Sequence, residues 1–385
     1  MPLPRTPSAP TVAMTQASWR GLSRLASWPV FALVFLATRA ALIMAVAHFT
    51  HGSELSDDVS MHVTMMHAPF DGLLGRGLFA QHPPLLPLLE GAVFSLFESS
   101  FGSSLAIRCT YALFECLAAV LVHSSVRQSA GDRAAARAAW LLLALPCGFV
   151  TSTLLPQDEC IAYAFAAGAL LALTHRHETR ALVLLSIAVI AAKIFFVIPL
   201  CALVLWLRKT PFLQRCAYAF APCTCVYALL WLMQRQSGVF QLVRFAPYAE
   251  FGVNAWVFLT ARMSADNMRW LSLACGGALA LACLARPLWL KQSEFATQPQ
   301  AAFVLATAAL AWFFVGFYHV NPEYYALLLP AIVVRCRSAA HSCIALLATA
   351  LPWAANIAHG IEYRVTQHNF TGAKGSIASA YLRYV

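Results

Sequence analysis

Apolar residues fill most of the chain in near-continuous blocks, broken by short stretches of charge, Pro and Gly. Many blocks run to about 15–22 residues, near the length a helix needs to cross the hydrocarbon of a bilayer. They fall near 28–49, 104–126, 138–155, 160–174, 181–192, 194–207, 216–233, 268–285, 300–318, 323–335 and 340–357. The pattern predicts an all-α fold, a polytopic transmembrane helical bundle of about eleven spans occupying residues 26–357. The blocks 181–192 and 194–207 are too short to cross upright, so a broken or partly inserted hairpin is expected there, with Lys193 at its tip. The run from His82 to Phe97 is also short, begins His-Pro-Pro and ends at Glu98. It is read as a juxtamembrane helix on the outer surface, within a first outer loop at 49–103.

Composition removes the soluble alternative. The chain of 385 residues is 60% hydrophobic and only 11% charged, with a mean hydropathy of +0.68. A soluble protein of this size still needs a polar exterior, and an ordinary domain carries about 25% charged residues. The formal charge of +10 comes without a basic helix or finger, so nucleic acid is excluded as a partner. Most of the twelve cysteines, Cys109, Cys116 and Cys147 among them, lie inside apolar blocks and read as small buried hydrophobes. Residues 1–25 read as a leader rich in Pro, Ser and Thr near its start, and the first block is too long for a secretory signal.

Charge placement sets the sides. Arg20 and Arg24, Arg127 to Arg137, Arg176 and Arg180, Arg208 to Arg215, Arg286 and Lys291, and Arg335 and Arg337 fall on alternate sides of successive blocks. Positive residues accumulate in short cytoplasmic loops, so the N-terminus is expected inside. The opposite side collects Asp57, Asp58 and His82 in the first loop, Gln157, Asp158 and Glu159 in a second, and Lys193. Arg244 and Tyr248 follow in a longer loop, and His319, Asn321, Glu323 and Tyr324 come late in the chain.

These outer residues are the candidate chemistry. A carboxylate just outside the bilayer can take a proton from an attacking hydroxyl or amine, which makes Asp57-Asp58 the strongest local signal. A solvated pair at a helix start is the simpler reading. Asp158 or Glu159 could cap the helix that follows. Lys193, set among Ala191, Ala192, Ile194 and Phe195, needs a partner or must snorkel, and phosphate binding suits it. His319 to Tyr325 reads either as an aromatic belt or as part of a site. Arg108 and Glu115 share one face of the second block, either as anchor and buried contact or as a functional pair. Adjacent carboxylates can also bind a cation, so a divalent ion is left open, and no cofactor motif is present. There is no repeat of 20–50 residues, no Gly-rich phosphate loop and no evident inverted-repeat symmetry of the kind many transporters show.

The run Gln81-His82-Pro83-Pro84-Leu85-Leu86-Pro87-Leu88-Leu89 is followed by Phe97, Gly102, Ala106-Ile107-Arg108 and Gly131-Asp132-Arg133-Ala134. In that order it resembles the polyprenyl-phosphate-sugar glycosyltransferases of the membrane-embedded GT-C fold. Over about residues 28–210 the chain is similar to the protein mannosyltransferase and aminoarabinose transferase branch. His319 to Pro330 is similar to the final Tyr-containing turn of those families, and Pro156 to Glu159 to a motif of related glycolipid mannosyltransferases.

The resemblance implies a first-loop aspartate base, here Asp57 or Asp58 without a choice between them. It implies a polyprenyl-phosphate-linked sugar, a hexose such as mannose, transferred with inversion on the outer face. Lys193, His82 and Arg244 would bind the donor phosphate, and Gln157, Asp158, Glu159, His319, Glu323 and Tyr324 the acceptor or sugar. Residues 358–385 form only a tail, expected on the outer side, where relatives carry a large soluble domain. That favours a lipid-linked glycan, a glycolipid or an envelope polysaccharide as acceptor, and a bacterial inner membrane as location, with membrane lipids around the bundle. Two other readings stand beside it: a transporter or flippase of a lipid-linked substrate, and a non-catalytic envelope-assembly subunit.

Overall fold

The computed structural model describes residues 25–50, 58–70, 83–191, 193–234, 264–289, 299–317, 322–336 and 338–366. Among them every regular element is helical. The order is α1 (Trp28–Thr50), α2 (Asp58–His67), α3 (Leu86–Phe101), α4 (Ser103–Ala130), α5 (Asp132–Ala144) and α6 (Pro146–Phe149), which continues as a π-helical turn, Val150–Leu154. Then come α7 (Glu159–Thr174), α8 (Glu178–Ala191), a 3-10 turn Ile194–Phe196, α9 (Val197–Trp206), α10 (Phe212–Gln234), α11 (Ala265–Trp289) and α12 (Pro299–Gly316). A 3-10 segment Pro322–Leu328, α13 (Leu329–Arg335) and α14 (Ala339–Thr366) close the described chain. The leader up to residue 24 and residues 367–385 lie outside the described residues.

Three of these helices are long and apolar enough to cross a bilayer: Trp28–Phe49, Ser103–Ala130 and Pro299–Gly316. The block expected at 138–155 is instead a pair, Asp132–Ala144 and Pro146–Leu154, bent by 52°. Counted as one span, that pair makes four among the described residues. The cause of the bend is Pro146, which has no N–H to give the carbonyl of Leu142 and cannot continue the helix. The other expected blocks appear as helices, several of them shorter, such as Glu159–Thr174 and Ile194–Trp206.

The bundle is built around α4, which packs against α1, α3, α5 and α7. Its Tyr111, Ala118, Ala119, Val122 and His123 are fully enclosed. α1 instead presents Leu33 at 69% and Phe49 at 81% exposure, and α10 presents Leu213 at 81%. Such side chains would aggregate in water and are at ease against lipid tails, which makes this an integral membrane protein. α11 and α12 approach so closely that a Cβ on Gly316 would stand 2.5 Å from the backbone N of Gly276. Small residues allow that approach where no hydrophobic effect drives helices together.

The helix directions sort the polar residues to two ends. Phe31 stacks on His123 while Arg39 pairs with Glu115, so α1 runs antiparallel to α4. At one end Gln300, starting α12, donates to Thr174 at 2.6 Å and Ser125 at 3.2 Å. Arg127 binds Asp132, and Glu178 accepts the N–H groups of Lys209 and Thr210 at that same end. At the other end Phe195 packs on Phe314 and Tyr324.

α3 is the helix formed by the run after His82-Pro83-Pro84. It turns at Gly102, whose φ of +74° favours glycine, and folds back antiparallel along the first part of α4. Glu98 meets Ser103 and Glu90 meets Tyr111 in register. Its start is fixed where the N–H of Leu85 donates to the Ile190 carbonyl at 3.0 Å. Its start therefore lies near the Lys193 break and its end at Gly102, beside the start of α4.

Candidate functional site

The site is assembled where three chain breaks meet. α8 stops at Ala191, and Lys193 takes an extended conformation whose N–H returns to the Ala188 carbonyl at 3.0 Å. α7 begins at Glu159 just after the π-helical turn. The Pro322–Leu328 segment packs against α7.

At this junction Lys193 Nζ lies 3.0 Å from Asp158 Oδ1 and 2.7 Å from Glu159 Oε1. The two acids are enclosed, and the lysine side chain is 18% exposed. Its ammonium also sits 5.2 Å from the centroid of the Tyr324 ring, within cation–π range. Burial makes such a cation costly alone, and the two carboxylates with the aromatic face offset that cost. An ammonium has three N–H donors, and the carboxylates engage two.

A second buried group lies alongside. Tyr111 donates to Glu90 Oε1 at 2.5 Å, and His62 Nδ1 is 3.1 Å from the Tyr111 oxygen and 3.4 Å from Glu90 Oε1. All three residues are enclosed, and Glu90 Oε2 has no hydrogen-bond partner among the described residues. Burial pushes the Glu90 carboxyl up, helped by the charge of Asp158, while His62 and the Tyr111 hydrogen bond pull against it.

Of the residues singled out from sequence, Lys193, Asp158, Glu159 and Tyr324 come together. Gln157 adjoins them, its N–H bonded to the Thr151 carbonyl at 2.8 Å. Asp158 stands at the N-cap of α7 without a side-chain capping bond and pairs with Lys193, and Glu159 lies in the first turn of the helix. Asp57, His82, Arg244 and His319 lie outside the described residues, as do the side chains of Asp58 and Glu323. Asp58 is the first residue of α2. No group of three or more metal-ligating side chains occurs among the described residues.

Arg108 and Glu115 do not pair. Arg108 donates to the Thr153 carbonyl at 3.0 Å and to Ser104, whereas Glu115 binds Arg39 and Ser152. Sequence reasoning missed Arg39, His62, Glu90 and Tyr111. Two of them carried a signal: Arg39 is a lone cation inside the first apolar block, and Glu90 a lone acid inside the run from His82 to Phe97. An ionisable residue in such a block needs a partner or a purpose.

No curated protein matches the chain. A family model described as Dolichyl-phosphate-mannose-protein mannosyltransferase matches residues 81–231. The match runs from just before α3 into α10 and includes Glu90, Tyr111, Glu115, Asp158, Glu159 and Lys193. This central segment is similar to the GT-C-type mannosyltransferase family, and the similarity supports a membrane glycosyltransferase of the mannosyltransferase type.

Proposed function

We propose that the chain moves a sugar, a hexose such as mannose, from a polyprenyl-phosphate donor to a lipid-linked or envelope glycan on the outer face of a bacterial inner membrane. The observation that carries the reading is the enclosed Lys193–Asp158–Glu159 cluster, which lies inside the segment matching a mannosyltransferase family and at one end of an apolar bundle.

In the proposed step the acceptor hydroxyl attacks the anomeric carbon and its proton passes to Asp57 or Asp58. The bond from that carbon to the phosphate oxygen breaks on the opposite side, and the polyprenyl phosphate leaves with the electron pair. Lys193 stabilises the growing charge with its remaining N–H. When ionised, Lys193 with its two acids carries one net negative charge, so the phosphate needs further cations, and His82 and Arg244 are assigned that role. Asp158, Glu159, Gln157, Tyr324, His319 and Glu323 face the sugar and acceptor in this proposal. The clustering of Arg127, Arg176, Lys209 and Arg215 at the opposite end of the bundle supports a cytoplasmic N-terminus. Under this reading the shorter helices complete about eleven crossings.

The test uses purified protein in liposomes, a radiolabelled polyprenyl-phosphate mannose and a lipid extract. Wild type transfers label to a lipid or glycan, and the D57N/D58N double variant does not. Equal transfer by both proteins removes the proposed base, and movement of the donor across the bilayer without transfer favours a flippase.

A further inference from the structure

α2 is the short helix that begins with Asp58, and among its described side chains His62, Met65 and Met66 are enclosed. A ten-residue helix is marginal by itself, so its place depends on tertiary contacts. His62 lies one turn on from Asp58. His62 reaches the Tyr111 hydroxyl on α4, which in turn donates to Glu90 on α3. Three elements thus meet in one enclosed chain of hydrogen bonds. Met66 reinforces it, because its carbonyl lies against Gly91, where a Cβ would stand only 3.0 Å away.

We infer that the His62–Tyr111–Glu90 chain is a positioning device that holds α2, the helix that begins at Asp58, in place against α3 and α4. The inference rests on the proposed function only in assigning a role to the aspartates. In this arrangement Glu90 serves as an acceptor: Oε1 takes the Tyr111 hydrogen bond, and no charge is transferred to substrate. Neutral Glu and Gln have the same shape and the same acceptor oxygen, so Gln can substitute where Leu cannot.

Two measurements on the full chain test this. The first is hydrogen exchange of residues 58–67 in wild type, E90Q, E90L and Y111F, which needs no catalysis. Protection of this segment falls at least about tenfold in E90L and Y111F and is retained in E90Q, as expected when a buried tie is removed or kept. The second is the transfer assay. There E90L and Y111F lose about 10- to 100-fold in kcat with little change in donor KM, because a misplaced catalytic group impairs the step more than binding, and E90Q recovers most of the rate.

Wild-type protection of 58–67 in E90L and Y111F overturns the inference. So does an E90Q variant as slow as E90L with protection intact, since Glu90 would then be acting through its charge. If wild type transfers no sugar while the exchange pattern appears as stated, the tie stands and the proposed function falls.

Discussion

Arg39 and Glu115 meet in a two-point pair, Nε to Oε2 at 2.8 Å and Nη2 to Oε1 at 2.7 Å, with both side chains 2% exposed. The guanidinium also reaches the carbonyls of Leu142 and Leu143 at 3.4 Å and lies 4.2 Å from the centroid of the Phe35 ring. The Leu142 carbonyl is the one Pro146 cannot serve. One cation therefore neutralises Glu115 and satisfies the backbone freed by the bend between α5 and α6.

Removing one member leaves the other charge enclosed without its partner, which costs about 3–5 kcal/mol. R39L and E115L are each expected to lower stability by about that amount, and the double variant by clearly less than the sum. Thermal unfolding in detergent, run as a double-mutant cycle, checks it. Simple additivity would show that the two side chains do not act as a pair.

Gly148 stands beside this pair. A Cβ there would lie 2.5 Å from Glu115 Oε1 and 3.9 Å from Arg39 Nη2. G148A is expected to displace the carboxylate and lower stability by about 1–3 kcal/mol. In the R39L/E115L background the clash partner is gone and most of the loss should disappear, which the same unfolding assay can read.

Lys193 allows a charge-specific test. K193M leaves Asp158 and Glu159 enclosed without their cation, and a loss of about 3–5 kcal/mol is expected. Sugar transfer should fall about 100-fold or more, as when a donor to a leaving oxygen is removed. K193R keeps the charge and should recover much of the stability, with less of the rate because the planar guanidinium presents its N–H groups differently. A K193M enzyme with wild-type transfer would falsify the assigned phosphate role.

The exposed contact between α2 and α3 is sensitive to acid. Glu98 accepts from Ser103 at 2.8 Å and from His67 at 2.6 Å, and these bonds hold its carboxyl below the usual glutamate range, with Ser103 the larger cause. A carboxyl lowered by folding stabilises the folded form above its unfolded value and loses that contribution as pH falls through the folded value. Exchange protection at the C-terminal end of α2 should therefore persist to a pH below the ordinary carboxylate range and then drop. In S103A the drop should move to higher pH. An unshifted profile would show that Ser103 does not set the Glu98 titration.

Sequence alone determined the helical class, the membrane setting and most helix positions, because block length and hydropathy report directly on the thickness of hydrocarbon to be crossed. The short blocks around Lys193 also mark a helix break, whereas the continuous apolar block at 138–155 hides the one at Pro146. It did not determine which ionisable residues meet. Asp158, Glu159 and Lys193 are adjacent only because α7 and α8 pack with their breaks at the same end of the bundle. Arg39 finds Glu115 across 76 positions of chain, and His62 reaches Glu90 through Tyr111. The orientation of α3 was likewise a tertiary decision. Glu90 takes a buried donor from Tyr111, and Gly102 permits the tight turn that brings the two side by side. Apolar periodicity is a local property of the chain, whereas the pairing of buried charges is settled by the cost of leaving any one of them without a partner once the helices have packed.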